Sequence, residues 1–572
     1  MAQPFSIPTS VKEVKELGWD YIDIIFFTGD AFVDHPSFGT ACISRYLEKA
    51  GYRVAVVPQP NWRDDLRDFR KLGPPRLYFA VNSGAMDSMV NHYTAAQRLR
   101  HDDAYTPDGK FGQRPDRAVT VYTKILKQLW PDIPVVIGGI EASLRRVTHY
   151  DYWDDRLMPS ILVDSGADWL CYGMGERTML ELTRAIEAGR NLHQIEKIPQ
   201  LAFYRKGECK VRDALLLHSY EKCLADKKAF AENFRQIEIQ ANMLHPQVIV
   251  EPVCGGYVQI NPTLEPATEQ EMDSFWDLPF TRRPHPRYKS RRIPAWDMIK
   301  DSIITHRGCF GGCNFCTISV HQGKFIQSRS EEGILKEIRR LAADPEFRGN
   351  ISDLGAPTAN MYGMRGKDFS KCSVCRRQSC LYPAPCPNMD RSHARLLRLY
   401  EKVLAVKGVR HAYIGSGIRY DLFLDEKGFV DSTSKPYLET LILNHTSGRM
   451  KVAPEHTEDK VLSYMGKPSF RLFCRLREEF DKICKKAGKK NSIVPYFISS
   501  HPGCRLEDME KLSRNPALKG IWMEQVQDFM PTPMTTSSVM FYSGIDPRTM
   551  KSVFVERDPE KKRRQKSLFF KK

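Results

Sequence analysis

His306-Arg307-Gly308-Cys309-Phe310-Gly311-Gly312-Cys313-Asn314-Phe315-Cys316 places three cysteines within eight residues. Three thiolates so spaced can hold one face of an iron-sulfur cube and leave its fourth iron without a protein ligand, open to a small molecule. Gly311 and Gly312 fall between the first two cysteines, where the backbone has to turn tightly round a bulky inorganic core and a Cβ would clash. Zinc usually takes four ligands in a closed site, often from paired Cys-x2-Cys knuckles, which a compact run of three does not offer. Three ordinary buried thiols are the remaining reading, and clustering counts against it.

Outward from this run, strands and helices alternate. Ser302 to Thr305 reads as a strand that delivers the cysteine loop at its carboxyl end. Glu331 to Ala342 reads as a helix with Ile334, Leu335, Ile338 and Leu341 on one apolar stripe. Further strands are expected at Ile351 to Leu354, Ala412 to Ile414, Met450 to Ala453, Ser492 to Ile498 and Trp522 to Phe529.

Cys-x3-Cys-x2-Cys with an aromatic before the last cysteine resembles the signature of the radical S-adenosylmethionine superfamily. The resemblance implies a 4Fe-4S cluster on Cys309, Cys313 and Cys316, with S-adenosylmethionine chelated to its open iron. One electron then cleaves the sulfonium to a 5′-deoxyadenosyl radical. It implies a partial (β/α)6 barrel beyond Asp301, with active groups at the carboxyl ends of its strands, and an electron donor such as a flavodoxin or ferredoxin. Four positions carry over. Phe315 would pack against the adenine. Gly355 opens the loop Gly355-Ala356-Pro357-Thr358, whose backbone carbonyls would receive the amino group. Glu455, ending the fourth strand, would bond the ribose or methionyl part. Ile498, before Ser499-Ser500-His501-Pro502-Gly503, would be an apolar adenine contact.

A second group, Cys372-x2-Cys375-x4-Cys380-x5-Cys386-Pro387, lies in a loop-like segment after the second strand. Four sulfurs close together allow a closed tetrahedral site for zinc or for a second 4Fe-4S cluster. The proline after the last cysteine is similar to ferredoxin cluster loops. Lys371, Arg376 and Arg377 are interleaved, so the local field favours an anionic cluster or substrate.

From Tyr21 to about Gly189, apolar strands alternate with amphipathic helices, the pattern of a doubly wound parallel sheet that binds ligands at the carboxyl ends of its strands. Strands are expected at Ile22 to Phe27, Arg53 to Val57, Leu77 to Val81, Val135 to Ile137 and Trp169 to Tyr172, and helices at Thr40 to Ala50, Val119 to Leu129 and Thr178 to Ala188. Gly138-Gly139-Ile140-Glu141-Ala142-Ser143 and Tyr172-Gly173-Met174-Gly175-Glu176 are similar to loops of cobalamin-binding domains that precede many radical enzymes, which makes cobalamin a candidate cofactor. In cobalamin proteins that ligate cobalt through histidine, one residue separates Asp from His. Here His35 follows Asp34 directly, so the resemblance does not extend to a ligand.

These readings divide the α/β chain into a Rossmann-like, cobalamin-binding-type domain over 1–190, a mixed helical connector over 191–295, a partial (β/α)6 radical core over 296–545 and a basic tail over 546–572. At 572 residues, about three domains is the ordinary expectation. The 42% hydrophobic and 27% charged content excludes a disordered chain. No apolar run reaches the ~18 residues of a membrane span, and Met1 to Asp20 lacks a secretory pattern, so a cytoplasmic protein is expected. Fifteen cysteines, an odd number, then read as reduced thiols or metal ligands rather than disulfides. The net charge of +17 is concentrated in Arg282 to Arg292 and in Lys561 to Lys566 with Lys571 and Lys572, which raises RNA as a partner.

Nearly end to end, including His321-Gln322-Gly323-Lys324, Pro357-Thr358-Ala359-Asn360-Met361-Tyr362 and Gln527-Asp528-Phe529-Met530-Pro531-Thr532-Pro533, the chain resembles the YgiQ family of radical S-adenosylmethionine proteins. The expected function is reductive cleavage of S-adenosylmethionine and radical attack on a substrate that the motifs do not name. The alternatives are an RNA-modifying enzyme, a cobalamin-dependent methyl- or methylthiotransferase, and a non-catalytic, metal-stabilised RNA-binding protein. Oligomeric state is left open.

Overall fold

Ile24–Thr28 (β1), Val54–Pro58 (β2), Tyr78–Asn82 (β3), Val135–Gly138 (β4) and Trp169–Cys171 (β5) form a parallel sheet in the order β2-β1-β3-β4-β5. The computed structural model describes residues 6–569 apart from 210 and 522–524. Met1, Trp522, Lys571 and Lys572 lie outside the described residues. The strands read as unbroken apolar runs because both faces are covered. Ile24 and Phe26 point to a layer that holds Ala41 and Leu47 of helix Gly39–Lys49 and Leu182 and Ala185 of helix Glu176–Glu187. Ile25 and Phe27 point the other way, to Val119, Tyr122 and Leu126 of helix Ala118–Leu129. The period of two along each strand thus sorts one sequence into two cores.

The sheet does not end at residue 190. Leu201–Lys206 (β6) pairs antiparallel with β5, Gly256–Ile260 (β9) with β6, and Ile249–Val253 (β8) with β9, while Leu215–Leu216 (β7) closes the edge. The segment expected as a helical connector therefore supplies four of nine strands. Its antiparallel hairpin lets a doubly wound sheet grow without crossover helices.

In the second half, Ser302–Ile304 pairs parallel with Asp353–Gly355, and Asn350–Ile351 pairs parallel with His411–Ala412. Arg449–Glu455, Ser492–Ser499 and Gln525–Asp528 pair in that order, again parallel. Helices follow most of these strands. Glu331–Ala342 starts where the Ser330 hydroxyl accepts from the Gly333 N–H at 2.9 Å, and it buries Ile334, Leu335, Ile338 and Leu341 against Ile303, Ile351 and Leu354.

Residues 546–569 are folded. Helix Pro559–Ser567 buries Gln565, whose side chain accepts from the Ser500 N–H at 2.9 Å, and Lys562, whose ammonium donates to the Tyr152 hydroxyl at 3.2 Å. No apolar stripe announces a helix in this segment, expected only as a basic tail, because polar bonds hold it. No helix among the described residues is long and apolar enough to cross a membrane.

Candidate functional site

The loop that carries Cys309, Cys313 and Cys316 leaves the carboxyl end of Ser302–Ile304 and is pinned by distant segments. His306–Arg307 pairs antiparallel with Gln327–Ser328. The Cys309 N–H donates to the Gly323 carbonyl at 3.1 Å, the Asn314 N–H to Met465 at 2.9 Å, and the Ser537 N–H to Asn314 at 2.9 Å. Gly308 sits at φ +89°, and a Cβ there would stand 2.3 Å from the Phe325 carbonyl oxygen. Only glycine fits. At Gly312, φ +62°, a Cβ would lie 2.6 Å from the Ser379 Cβ. The glycine expected for the bulk of a cluster is thus demanded here by the second cysteine segment, which packs on the first.

Arg419, which sequence reasoning missed, is the cation of this loop. Its Nη1 donates to the Cys313 sulfur at 3.1 Å, and Asp421 fixes the guanidinium through bonds of 2.8 and 2.5 Å. The Thr358 hydroxyl lies 3.3 Å from the Cys309 sulfur. Burial pushes the Cys309 thiol up and the Cys316 thiol up to about 12, so a thiolate here needs a positive partner, whether Arg419 or a metal centre. The donor set is three sulfurs and one guanidinium, which suits an anionic cluster held through three irons. Among the described residues, no three His, Cys, Asp or Glu side chains meet at the spacing of a single ion. The sequence signal for Arg419 is faint: Gly415-Ser416-Gly417-Ile418-Arg419, a glycine-rich loop following a strand.

Phe315 and Ile498 come together. Both are half-buried against the same two apolar clusters, one in the second-half core and one around Phe529 and Phe541. Phe315 meets the His501 ring edge-on at 6.2 Å, and His501 meets Phe529 at 5.0 Å. Burial drives the His501 pKa down to about 3, so its ring is neutral and extends the flat wall. Glu455 ends its strand at a register shift with φ +68°, a strained conformation for a glutamate. Burial raises its pKa, Lys467 lies 3.6 Å away, and its charge is felt at Cys316. The Gly355 carbonyl accepts from the Thr305 N–H at 2.9 Å and lies 3.3 Å from the Thr305 hydroxyl. A Cβ on Gly355 would stand 2.5 Å from the Ser416 Oγ, so this glycine admits the neighbouring loop, and the carbonyls of Ala356 and Pro357 follow it.

A cavity of about 510 Å³ lies between the two halves. One wall is the carboxyl end of the first sheet, with Asn82, Gly138, Gly139, Gly173 and Gly175; the other is Ser302–Ile304, His306 and Gly355 to Pro357. In a sheet ordered β2-β1-β3, the strand order reverses between β1 and β3, and ligands bind beside such a point. His35 is outside this wall. Its Nδ1 accepts from the Ser37 N–H at 3.1 Å, and burial holds its pKa well below the ordinary value. His321 is in the wall, with Nδ1 3.2 Å from the Ser143 hydroxyl and a pKa lowered by burial to about 4. Arg307, two residues before Cys309, reaches across to Glu176 at 2.6 Å and lies over the Trp276 ring at 4.6 Å.

The family described as Radical SAM N-terminal matches residues 6–302, and a domain of unknown function, DUF3362, matches residues 524–571. A UPF0313 protein of Bacteroides thetaiotaomicron is 51% identical over 99% of this chain and 93% of its own length. The chain belongs to the UPF0313 family. UPF0313 is the YgiQ-like family, so the end-to-end resemblance holds. A UPF0313 protein of the archaeon Methanocella arvoryzae is 45% identical over 97% of this chain and 91% of its own. Among solved structures, the radical S-adenosylmethionine methyltransferase TsrM from Kitasatospora setae, with cobalamin and a [4Fe-4S] cluster bound, covers 90% of this chain and 74% of its own, at 16% identity and TM-score 0.48. A likeness that distant carries no chemistry over.

In this UPF0313 chain the basic run 282–292 is largely neutralised from within. Arg282 pairs with Glu337, Arg283 with Asp344 at 2.8 Å, Arg291 with Asp108 at 2.8 Å, and Arg292 with Asp297. The run straps the two halves together, which explains its charge without a polyanion. In the last helix, Lys566 pairs with Asp528 at 3.5 Å.

Proposed function

We propose that this UPF0313 chain is a radical S-adenosylmethionine enzyme, with a partial (β/α)6 barrel from 296 to 545 and a Rossmann-like, cobalamin-binding-type first half. The carrying observation is convergence: the three-cysteine loop at the end of the first strand, which itself carries Phe315, is met by Thr358, Arg419 and Glu455 from beyond other strands. A 4Fe-4S cluster on Cys309, Cys313 and Cys316 would supply, with S-adenosylmethionine on its open iron, a 5′-deoxyadenosyl radical. Arg419 balances the negative charge of the thiolates. Phe315, Ile498 and neutral His501 make an apolar wall of the kind an adenine stacks on. Glu455 with Lys467 offers an acceptor and a donor to the ribose or methionyl end, and the carbonyls after Gly355 offer acceptors to the amino group. The reductant would be a low-potential one-electron donor of a cytoplasmic kind. In the test, anaerobic reduced protein is followed by electron paramagnetic resonance. Addition of S-adenosylmethionine should shift the cluster signal in wild type. A signal indifferent to the compound, in protein with full iron, would overturn the proposal.

The cavity favours a second, compatible reading: a cobalamin-dependent methyl- or methylthiotransferase. It lies at the topological switch point, is lined by both glycine loops and runs along the first strand of the catalytic half. Asn82, Gly138, Gly139, Gly173 and Gly175 would hold the corrin there, and His35 does not line the cavity. Incubation with hydroxocobalamin and gel filtration should leave a corrin absorption band with the protein; a colourless protein would remove this reading and leave the first intact. The internal pairing of Arg282 to Arg292 weakens the RNA-binding alternatives, which predict a steep salt dependence of RNA affinity.

A further inference from the structure

We propose that Cys372, Cys375, Cys380 and Cys386 hold a second iron-sulfur cluster that takes electrons from a small acidic one-electron donor protein and passes them to the cysteine loop 309–316. The proposal rests on the cluster reading of that loop as the electron's destination.

The four thiols form one site. All four line a single cavity of about 330 Å³, and the charges of Cys386, Cys375 and Cys372 are each felt at Cys380 after the effect of its burial. The Asn388 amide donates to the Cys372 sulfur at 3.4 Å and the Arg377 N–H approaches the Cys375 sulfur at 3.5 Å, bonds of the type that tune cluster potentials. A single zinc ion draws its sulfurs in to about 2.3 Å and needs no cavity. A cube does. The chemistry of the site, four sulfurs ending in Cys386-Pro387 around an open space, matches the cluster of the two centres that the cysteine spacing allows.

Its placement gives it a task. The Cys380 N–H donates to the Phe310 carbonyl at 3.2 Å, the Ser379 hydroxyl to the Gly311 carbonyl at 2.7 Å, and the Gln378 amide to the Asn314 side chain at 2.9 Å. Since Phe310 adjoins Cys309, one hydrogen bond and a few covalent bonds join a ligand of the second site to a ligand of the first. The span is on the order of 10 Å, from the 3.8 Å step between adjacent Cα atoms and that 3.2 Å bond. Phe310, Met361, Met364, Leu381 and Met389 fill the space between and keep water out.

The outer side is a landing surface. Arg365, Lys367, Lys371, Arg376 and Arg377 are all exposed, and so are the apolar Phe369 and Val374 at 46% and 72%. A cationic rim around two exposed apolar side chains complements a small acidic redox protein, whose approach such a field speeds. In the transfer the donor loses one electron, the second cluster gains it and hands it to the first, and no bond forms or breaks.

The test uses full chain reconstituted anaerobically with iron and sulfide. Wild type should hold about eight irons, and a Cys309→Ala, Cys313→Ala, Cys316→Ala variant about four. Reduced flavodoxin should reduce the first cluster at least roughly tenfold faster in wild type than in Cys372→Ala, Cys375→Ala, whereas titanium(III) citrate should reduce both alike. Because those alanines could disturb the adjoining loop, Arg376→Glu, Arg377→Glu is the second variant. It should keep about eight irons yet slow the flavodoxin reaction roughly tenfold at low salt, with the gap closing as salt rises. One zinc per chain with only about four irons in wild type, or equal flavodoxin rates in the charge-reversed variant, would overturn the proposal. Iron retained by the triple variant, with no response to S-adenosylmethionine in wild type, would sink the first-site reading while the second cluster stood.

Discussion

Replacing Glu176 by Gln should loosen the cysteine loop from the first half of the molecule. Arg307 and Glu176 are 6% and 3% exposed and 2.6 Å apart, so removing one charge strands the other where water cannot reach it. Breaking a buried pair from one side costs about 3–5 kcal/mol. Glu176→Gln should sit in that range, because Arg307 keeps its place over the Phe275 and Trp276 rings but loses its carboxylate. Arg307→Met should cost less, roughly 2–4 kcal/mol, since Glu176 opens helix Glu176–Glu187 and the helix dipole offsets about 1 kcal/mol of an unpaired carboxylate there. The double variant should recover most of the loss, a coupling of about 3 kcal/mol. Urea unfolding followed by circular dichroism gives these values, and the rate at which a chelator strips iron reports the loop itself, with about tenfold faster loss expected for each 1.4 kcal/mol of destabilised loop closure. Burial alone would raise the Glu176 carboxyl, but Arg307 outweighs it and holds the pKa below the ordinary 4.5. The carboxylate's contribution is therefore in place above pH 4.5 and is lost as pH falls through the lowered value. Single variants that each cost under about 1 kcal/mol and add without coupling would refute the reasoning.

Three further outcomes are expected. Gly312→Ala should reduce iron at both cysteine sites and cost roughly 1–3 kcal/mol, since its Cβ would meet Ser379 at 2.6 Å and φ is positive; iron analysis checks it. Arg419→Lys should keep the iron but lower the yield of 5′-deoxyadenosine roughly tenfold or more, because a lysine cannot both bind Asp421 through two bonds and reach Cys313. Burial raises the Glu251 pKa from 4.5 to about 7, so the folded state holds a proton that the unfolded chain releases, and stability falls as pH rises from 4.5 through 7. Glu251→Gln should remove that fall, gaining up to about 3 kcal/mol on wild type at pH 8 relative to pH 4, by urea unfolding at the two pH values.

The first sheet was legible because β1 to β5 are short apolar runs set between amphipathic helices, and such runs have few other places to go. Helix Glu331–Ala342 was readable to the residue, since Ser330 caps it and its stripe is unmixed. The strands β6 and β9 were not. They pair across some fifty intervening residues, and nothing local in either says that the partner is the other. The last helix failed for the opposite reason: Lys562 and Gln565 are buried by hydrogen bonds, and its sequence reads as solvated. At the site, the cysteines were plain from spacing, and Phe315 and Ile498 do share one apolar seam. Arg419 and Lys467 were missed because one follows a strand and the other a helix, and only folding brings them to the site. The pairings of Arg282 to Arg292 were not legible either, since a charge run carries no mark of the carboxylates that will meet it.

On the proposed reading, Cys309, Cys313 and Cys316 make this chain a radical initiator. The direct measurement is 5′-deoxyadenosine released from S-adenosylmethionine by anaerobic, iron-loaded protein under a strong reductant, quantified by mass spectrometry beside Cys313→Ala. Release by wild type and none above background by the variant is the predicted result; equal release from both, with the iron content of wild type verified, would contradict it.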